Sequence, residues 1–264
     1  MSVLKTPEEI DAMARAGRII GALFRALRDR VKPGVTTGEI DDFAESFIRS
    51  HDGAEPAFKG LYGFPATVCA SVNHEVVHGI PSPYRTLTDG DIVSIDVGVK
   101  LDGWYGDSAV TFGVGDIDEE TRRLLAVTRE ALVRGIRAAK PGNRLGDIGH
   151  VIQEHAESNG YSVVRELVGH GIGREPHEDP QVPNFGVAGR GPRLEPGLVL
   201  AIEPMVNLGV ADVETLADRW TVITADKRRS AHYEHTVAVT DDGPRVLTAA
   251  DALAPGDVVV EAGV

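Results

Sequence analysis

One pattern limits the possible folds of this chain more than any other: its landmarks occur twice, in the same order. Lys32-Pro33-Gly34 closes one helical segment and Lys140-Pro141-Gly142 closes another 108 positions later, and at that offset Gly38-Glu39-Ile40 is answered by Gly146-Asp147-Ile148. The apolar stripe Ile40, Phe43, Ala44, Phe47 and Ile48 maps onto Ile148, Val151, Ile152, His155 and Ala156, so His155 stands at a core position and reads as structural. His78-Gly79-Ile80 returns as His170-Gly171-Ile172, and the segment from Gly90 to Asp96 returns as Gly197 to Glu203. Asp107, followed by Thr111, is answered by Glu234, followed by Thr236 and the strand Val237-Ala238-Val239. Spacings between the later landmarks drift, so insertions separate them, but their order holds. The chain reads as helix, helix, histidine turn, acidic strand, acidic strand, twice over. Two such halves pack naturally as one pseudo-symmetric α+β unit, sheet on one side and helices on the other, with the acidic positions converging on the pseudo-axis. The repeats span approximately residues 7–115 and 116–245, and residues 1–264 are expected to form a single catalytic domain.

Local signals agree with that plan. Thr6-Pro7-Glu8-Glu9 combines a capping box with proline at the first helical position, and apolar residues from Ile10 to Val31 follow at helical spacing, which predicts a helix running to Pro33-Gly34. Thr36 and Glu39 form a second capping box, and Asp118-Glu119-Glu120 opens a third helix. The stretch from Ala57 to Cys69 mixes glycine, proline and aromatics without a period and reads as a loop able to wall a pocket. Residues 71–81 read as a short extended segment ending in a turn.

The chemistry is expected in the stretch from Asp91 to Asp107. Alternation puts Val93, Ile95, Val97 and Val99 on one face of a strand and Asp96 on the other, and Asp102-Gly103 is a strong hairpin turn signal. With those two residues as the whole turn, Asp96 pairs with Ala109, and Asp107 is its diagonal neighbour on the same face. Two carboxylates about 4 Å apart repel by about 4 kcal/mol at an effective dielectric of ~20, so the arrangement calls for protons or cations. An acidic residue beside a turn is ordinarily a solvated one. Packing alone explains duplicated core residues, however, and does not explain duplicated carboxylates at inward positions. Asp96, Asp107, Glu203 and Glu234 carry four negative charges that two divalent cations would balance, and His170 adds a neutral nitrogen. Oxygen-rich sites with one imidazole suit Mn, Fe, Co or Zn, and bridging carboxylates hold two ions ~3.5–4 Å apart in a geometry that activates water for hydrolysis.

Composition excludes other classes. A net charge of −13 opposes stable binding to nucleic acid or to an anionic membrane, while an acidic cleft suits divalent cations. The single Cys69 excludes an internal disulfide, which fits a reducing compartment. The start, MSVLKTPEEI, lacks a signal-peptide apolar run and no later segment approaches membrane-spanning length, so a cytoplasmic protein is expected. The helical histidine pair of the zincins and a G-x-S-x-G elbow are absent. The glycines from Gly169 to Gly173 mimic a dinucleotide loop, but no helical pattern follows and Pro176 interrupts.

The ordered set His78-Gly79-Ile80-Pro81, Asp91 to Asp107, Gly169-His170-Gly171-Ile172-Gly173, His177-Glu178-x-Pro180, Ile202-Glu203-Pro204-Met205 and His232 to Thr236 resembles the type I methionine aminopeptidases in their short bacterial form. These are metallopeptidases of family M24 with the pita-bread (creatinase/aminopeptidase) fold. The resemblance implies a metal-dependent aminopeptidase that removes the initiator methionine from nascent chains, prefers a small second residue, and uses a water activated by two metal ions. It implies that Asp96 chelates one ion, Asp107 and Glu234 bridge both, and His170 and Glu203 complete the other, with Glu203 also the proton shuttle. His78 and His177 would contact the peptide and the developing oxyanion. Phe64, Cys69 and Trp220 match walls of the methionine pocket, and Tyr62 with His78 lines the approach. His51, His74, His150, His232 and His235 gain no role from it. The chain departs from the family at Leu61, where an aromatic is expected, at Phe58, where bacterial relatives often carry cysteine, and at Pro176, where an aromatic often precedes the second histidine.

Two other readings stand beside this one. Prolidases and aminopeptidase P share the five metal ligands but carry a large preceding domain, for which a repeat beginning by residue 7 leaves no room. Non-catalytic pita-bread binding proteins typically lose ligands, and all five are present here. The eukaryotic Cys/His extension and the type II insertion are absent, so the short bacterial form fits best, acting as a monomer on nascent polypeptides and meeting the ribosome transiently.

Overall fold

The computed structural model describes residues 3–249. Among the described residues four α-helices carry the outer layer: α1 (Pro7–Arg28), α2 (Thr37–Arg49), α3 (Glu119–Ala138) and α4 (Leu145–Ser158). The capping boxes expected from the sequence form. The Glu9 amide donates to Thr6 Oγ1 at 3.3 Å and the Thr6 amide donates to the Glu9 carboxylate at 3.0 Å, and Thr36 and Glu39 repeat the exchange at 3.1 and 2.8 Å. In α4, which lacks the threonine, the Asp147 carboxylate still accepts from the Arg144 amide at 2.7 Å. Helix α1 stops at Arg28, short of Pro33-Gly34, because the Arg30 and Val31 amides both turn back to the Leu27 carbonyl and close the chain into a turn. Val31 remains in the core.

The first half contributes β1 (Ala54–Pro56), β2 (Val68–Val72), β3 (Glu75–Val77), β4 (Ile92–Leu101) and β5 (Trp104–Gly113). Asp102 and Gly103 both adopt left-handed φ values, 52° and 76°, the requirement of the tight turn that matches strand twist. The β4–β5 register follows from that turn, with Asp96 opposite Ala109 and Asp107 opposite Gly98. On its other edge β4 holds β1 and β2 end to end. The loop expected over residues 57–69 is therefore shorter, since Val68 and Cys69 belong to β2. Residues 71–81 are split by a turn at Asn73, whose φ is 59°, into the end of β2 and the short β3.

The second half contributes β6 (Ser162–Val163), β7 (Gly169–Gly171), β8 (Glu178–Val182), β9 (Val199–Ile202), β10 (Met205–Asn207), β11 (Val213–Thr215), β12 (Val222–Thr224), β13 (Ser230–His232), β14 (His235–Thr240) and β15 (Gly243–Val246). Five of them form a sheet in the order β15-β14-β9-β7-β8, and two three-stranded ribbons, β13-β10-β6 and β11-β12-β3, flank it.

The halves are stitched where β5 meets the β13–β14 junction. The Glu234 amide donates to the Ala109 carbonyl at 2.9 Å, and Thr236 Oγ1 both receives the Asp107 amide at 3.0 Å and donates to the Asp107 carbonyl at 2.8 Å. Thr111 Oγ1 serves His232 in the same way. Because Ala109 faces Asp96 on one side and Glu234 on the other, the stitching lines up Asp96, Ala109 and Glu234 across the seam. One continuous core runs behind it, joining Ile20, Ile95 and Val110 of the first half to Leu132, Ile152, Leu200 and Val237 of the second. Helix α1 lies close on β5 at paired glycines: a Cβ on Gly106 would sit 3.3 Å from the Gly17 nitrogen, and one on Gly17 would collide with the Leu247 carbonyl.

Candidate active site

A cavity of about 740 Å³ opens at the seam. Its lining includes every residue expected in the site: Asp96, Asp107, His170, Glu203, Glu234, His78, His177, Tyr62, Phe64, Cys69 and Trp220. The carboxylates come from both halves. Asp96 sits mid-strand in β4, Asp107 in β5, Glu203 directly after β9, and Glu234 between β13 and β14. His170 is the middle residue of β7, paired with Ala201 of β9.

The site is built for a cation. Asp107 is 5% and Glu234 2% exposed, yet Asp96 Oδ1, Asp107 Oδ1 and Glu234 Oε1 have no hydrogen-bond partner among the described residues. Buried carboxylate oxygens left in this state are costly without a proton or a positive ion. Donor atoms of Asp107, His170 and Glu234 lie within 4.8 Å of one another. His170 Nε2 is 3.9 Å from Asp107 Oδ2 and 3.6 Å from Glu203 Oε1. His170 Nδ1 is 2.9 Å from the Gly171 carbonyl, so Nδ1 carries the proton and Nε2 presents its lone pair to the carboxylates, the state a metal requires.

The electrostatics say the same. Burial pushes Asp96 up to about 7. It also holds Asp107, Glu203 and Glu234 well above the usual carboxylate range, and in all three the neighbouring charges add to it. Asp96 and Glu203 keep a narrow contact with the cavity but are otherwise enclosed by protein. Burial, and then proximity to His177, drives His170 down to about 4, so the ring is neutral at pH 7. Four acidic oxygen donors and one neutral imidazole in this confinement fit divalent ions.

Beside the acidic wall lies an apolar one. Phe64 and Trp220 meet edge to face with ring centroids 5.1 Å apart, and Phe58, Ala66 and Cys69 complete the cluster, with Leu61 and Ile80 packed against it. The Cys69 thiol is buried and pushed up by that burial, so it acts as a soft apolar surface. The His78 ring stands edge-on to Trp220 at 6.5 Å, on backbone with φ 60°. His177 is exposed at the rim, 4.4 Å between ring centroids from His170, and stacked against Tyr62 at 5.9 Å.

His232 gains no role from the sequence, yet it stands beside the site. His232 is fully buried, its Nε2 is 3.7 Å from Glu203 Oε2, and neither ring nitrogen has a partner among the described residues. Its spacing of two from Glu234 was the available signal, because alternation puts both on one side of the chain.

Comparison with known proteins agrees with the geometry. The metallopeptidase family M24 matches residues 11–241. The methionine aminopeptidase of Clostridium perfringens is 57% identical over 248 residues, covering 94% of this chain and 99% of that protein. The crystal structure of the methionine aminopeptidase of Thermotoga maritima superposes with a TM-score of 0.92 at 46% identity, covering 94% of this chain and 100% of that one. The prolidase of Pyrococcus furiosus shares the fold with a TM-score of 0.77 at 26% identity, over 95% of this chain and 66% of its own length. This chain, with its pita-bread fold, belongs to metallopeptidase family M24 and within it to the methionine aminopeptidases.

Proposed function

We propose that the chain, as one catalytic domain, hydrolyses the bond after an N-terminal methionine, and that Asp96, Asp107, His170, Glu203 and Glu234 are the residues that would hold two divalent ions. The observation that carries this is a coincidence in one cavity: unpartnered buried carboxylate oxygens stand beside an apolar wall of Phe64, Cys69 and Trp220. When bound, divalent ions supply Lewis acidity and make water acidic enough to ionise near neutral pH. The donor set suits Mn, Fe, Co or Zn.

The protein's own groups divide the remaining work. Phe64, Cys69 and Trp220 enclose an unbranched, polarizable side chain, and sulfur–aromatic contacts favour methionine there. Tyr62 and His78 border the entrance. His78 and His177 donate to the peptide carbonyl oxygen as charge develops on it. Glu203, adjoining the cavity, carries a proton from the attacking water to the departing amine. The substrates are nascent polypeptide N-termini with a small second residue, met transiently at the ribosome by a monomeric cytoplasmic enzyme. No helix among the described residues is long and apolar enough to cross a membrane.

The test is release of the first residue from Met-Ala-Ser, Met-Leu-Ser, Leu-Ala-Ser and Met-Pro-Ser after chelation and after adding back Mn, Co, Fe or Zn. Metal-dependent cleavage confined to methionine before a small residue supports the proposal. Cleavage only before proline moves the chain to the proline-specific relatives, and no cleavage by folded protein with any metal leaves a binding role.

A further inference from the structure

We infer that Lys5, near the start of the chain, is a positioning residue for His177. The inference rests on the reading above that His177 contacts the substrate. Lys5 is only 5% exposed, an unusual place for an ammonium group. Its Nζ donates to Glu178 Oε2 at 2.5 Å and to the Val3 carbonyl at 2.9 Å, and its amide donates to the Gly197 carbonyl at 2.7 Å. Glu178 follows His177 directly. Its other carboxylate oxygen, Oε1, accepts the amides of Arg174 at 2.8 Å and Glu175 at 3.2 Å, so the carboxylate is the internal frame of the loop that delivers His177. Lys5 anchors that frame to the body of the protein.

The fit around the pair is close. A Cβ on Gly173 would strike the Lys5 side chain and lie 2.6 Å from Glu178 Oε1, so the loop passes the ammonium group only because residue 173 has no side chain. From the outer side the loop is held by Arg174, whose guanidinium lies 3.6 Å over the Trp104 ring, and by the Tyr105 amide, which donates to the Gly173 carbonyl at 3.0 Å. The loop carrying an exposed histidine is thereby clamped on both faces, and the inner clamp is a single buried ion pair. A buried pair broken on one side leaves an uncompensated charge, which reorganises its surroundings. Without Lys5, the Glu178 carboxylate turns toward water and releases the two amides that fix the loop.

The experiment is a double-mutant cycle between Lys5→Met and His177→Ala, with kcat, KM and metal content measured for each protein. Lys5→Met is expected to lower kcat at least tenfold with KM and bound metal nearly unchanged, and to change kcat less than twofold in the His177→Ala background. Equal losses in both backgrounds mean that Lys5 only supports the fold, and no loss in either means that the loop holds itself; each overturns the inference. Near-normal kcat/KM in His177→Ala alone removes the reading of His177 on which the inference depends. Glu178→Gln, which keeps an acceptor for the two amides while removing the charge, takes the place of Lys5→Met in the same cycle if that variant does not fold.

Discussion

Asp107→Asn tests the metal centre from two sides. Asp107 is buried, has one oxygen without a partner, and has the other 3.9 Å from His170 Nε2. The substitution keeps shape and removes one negative charge from a cluster whose donor atoms lie within 4.8 Å of one another. At roughly 4 Å and an effective dielectric of ~20, one unit charge pair amounts to about 4 kcal/mol, and a divalent ion feels at least that much. Metal affinity should fall by about a thousandfold or more, since each 1.4 kcal/mol is a factor of ten. The metal-free protein should respond in the opposite direction. There burial and the neighbouring carboxylates disfavour a charge on Asp107, a penalty a neutral amide does not carry, and the apo variant should unfold at higher denaturant than the apo wild type. Elemental analysis after dialysis reads the first effect and equilibrium unfolding in chelator reads the second. Unchanged metal content would refute the ligand assignment. A less stable apo variant would show that Asp107 is held by structural contacts rather than reserved for a cation.

His177→Ala should retain metal and lose about 10²–10³ in kcat, the usual cost of one oxyanion donor, measured by steady-state kinetics beside elemental analysis. Trp220→Ala removes one wall of the apolar pocket and its contact with Phe64, and should cut the preference for methionine over leucine in the first position by about tenfold or more, read from kcat/KM on paired peptides. His232→Leu replaces two buried nitrogens that lack partners, each of which costs about 1–3 kcal/mol, so the melting temperature should rise while kcat falls as Glu203 loses its neighbour.

What could be read in the sequence depended on how local its cause was. Asp96 and Asp107 were legible because a two-residue turn and strand alternation fix their relation within a dozen residues. Glu203 and Glu234 have no such local frame, and only the duplication connected them to the first pair. The pocket residues Phe64, Cys69 and Trp220 followed from family resemblance alone, since nothing periodic joins a loop at 64 to a turn at 220. The strands β10, β11 and β12 are not legible because three residues carry no period of their own, and β12 lies between β11 and β3, the latter from the other half. The sequence pattern carries α1 too far because apolar spacing continues through Val31, and a helical pattern does not distinguish a last turn from a chain folding back under it. His232 gains no role from the sequence because the residue that gives it meaning, Glu203, follows β9 in a distant stretch of the chain.

The seam between β5 and the β13–β14 junction has a consequence for when this enzyme becomes active. Asp96 and Asp107 leave the ribosome long before Glu203, and Glu234 comes last, on a segment whose amide must reach Ala109 for the site to close. A chain made only as far as β5 therefore holds Asp96 and Asp107 without the other proposed ligands. The proposed ligand set is complete only once the Glu234 segment docks on Ala109, so a partly built copy lacks it.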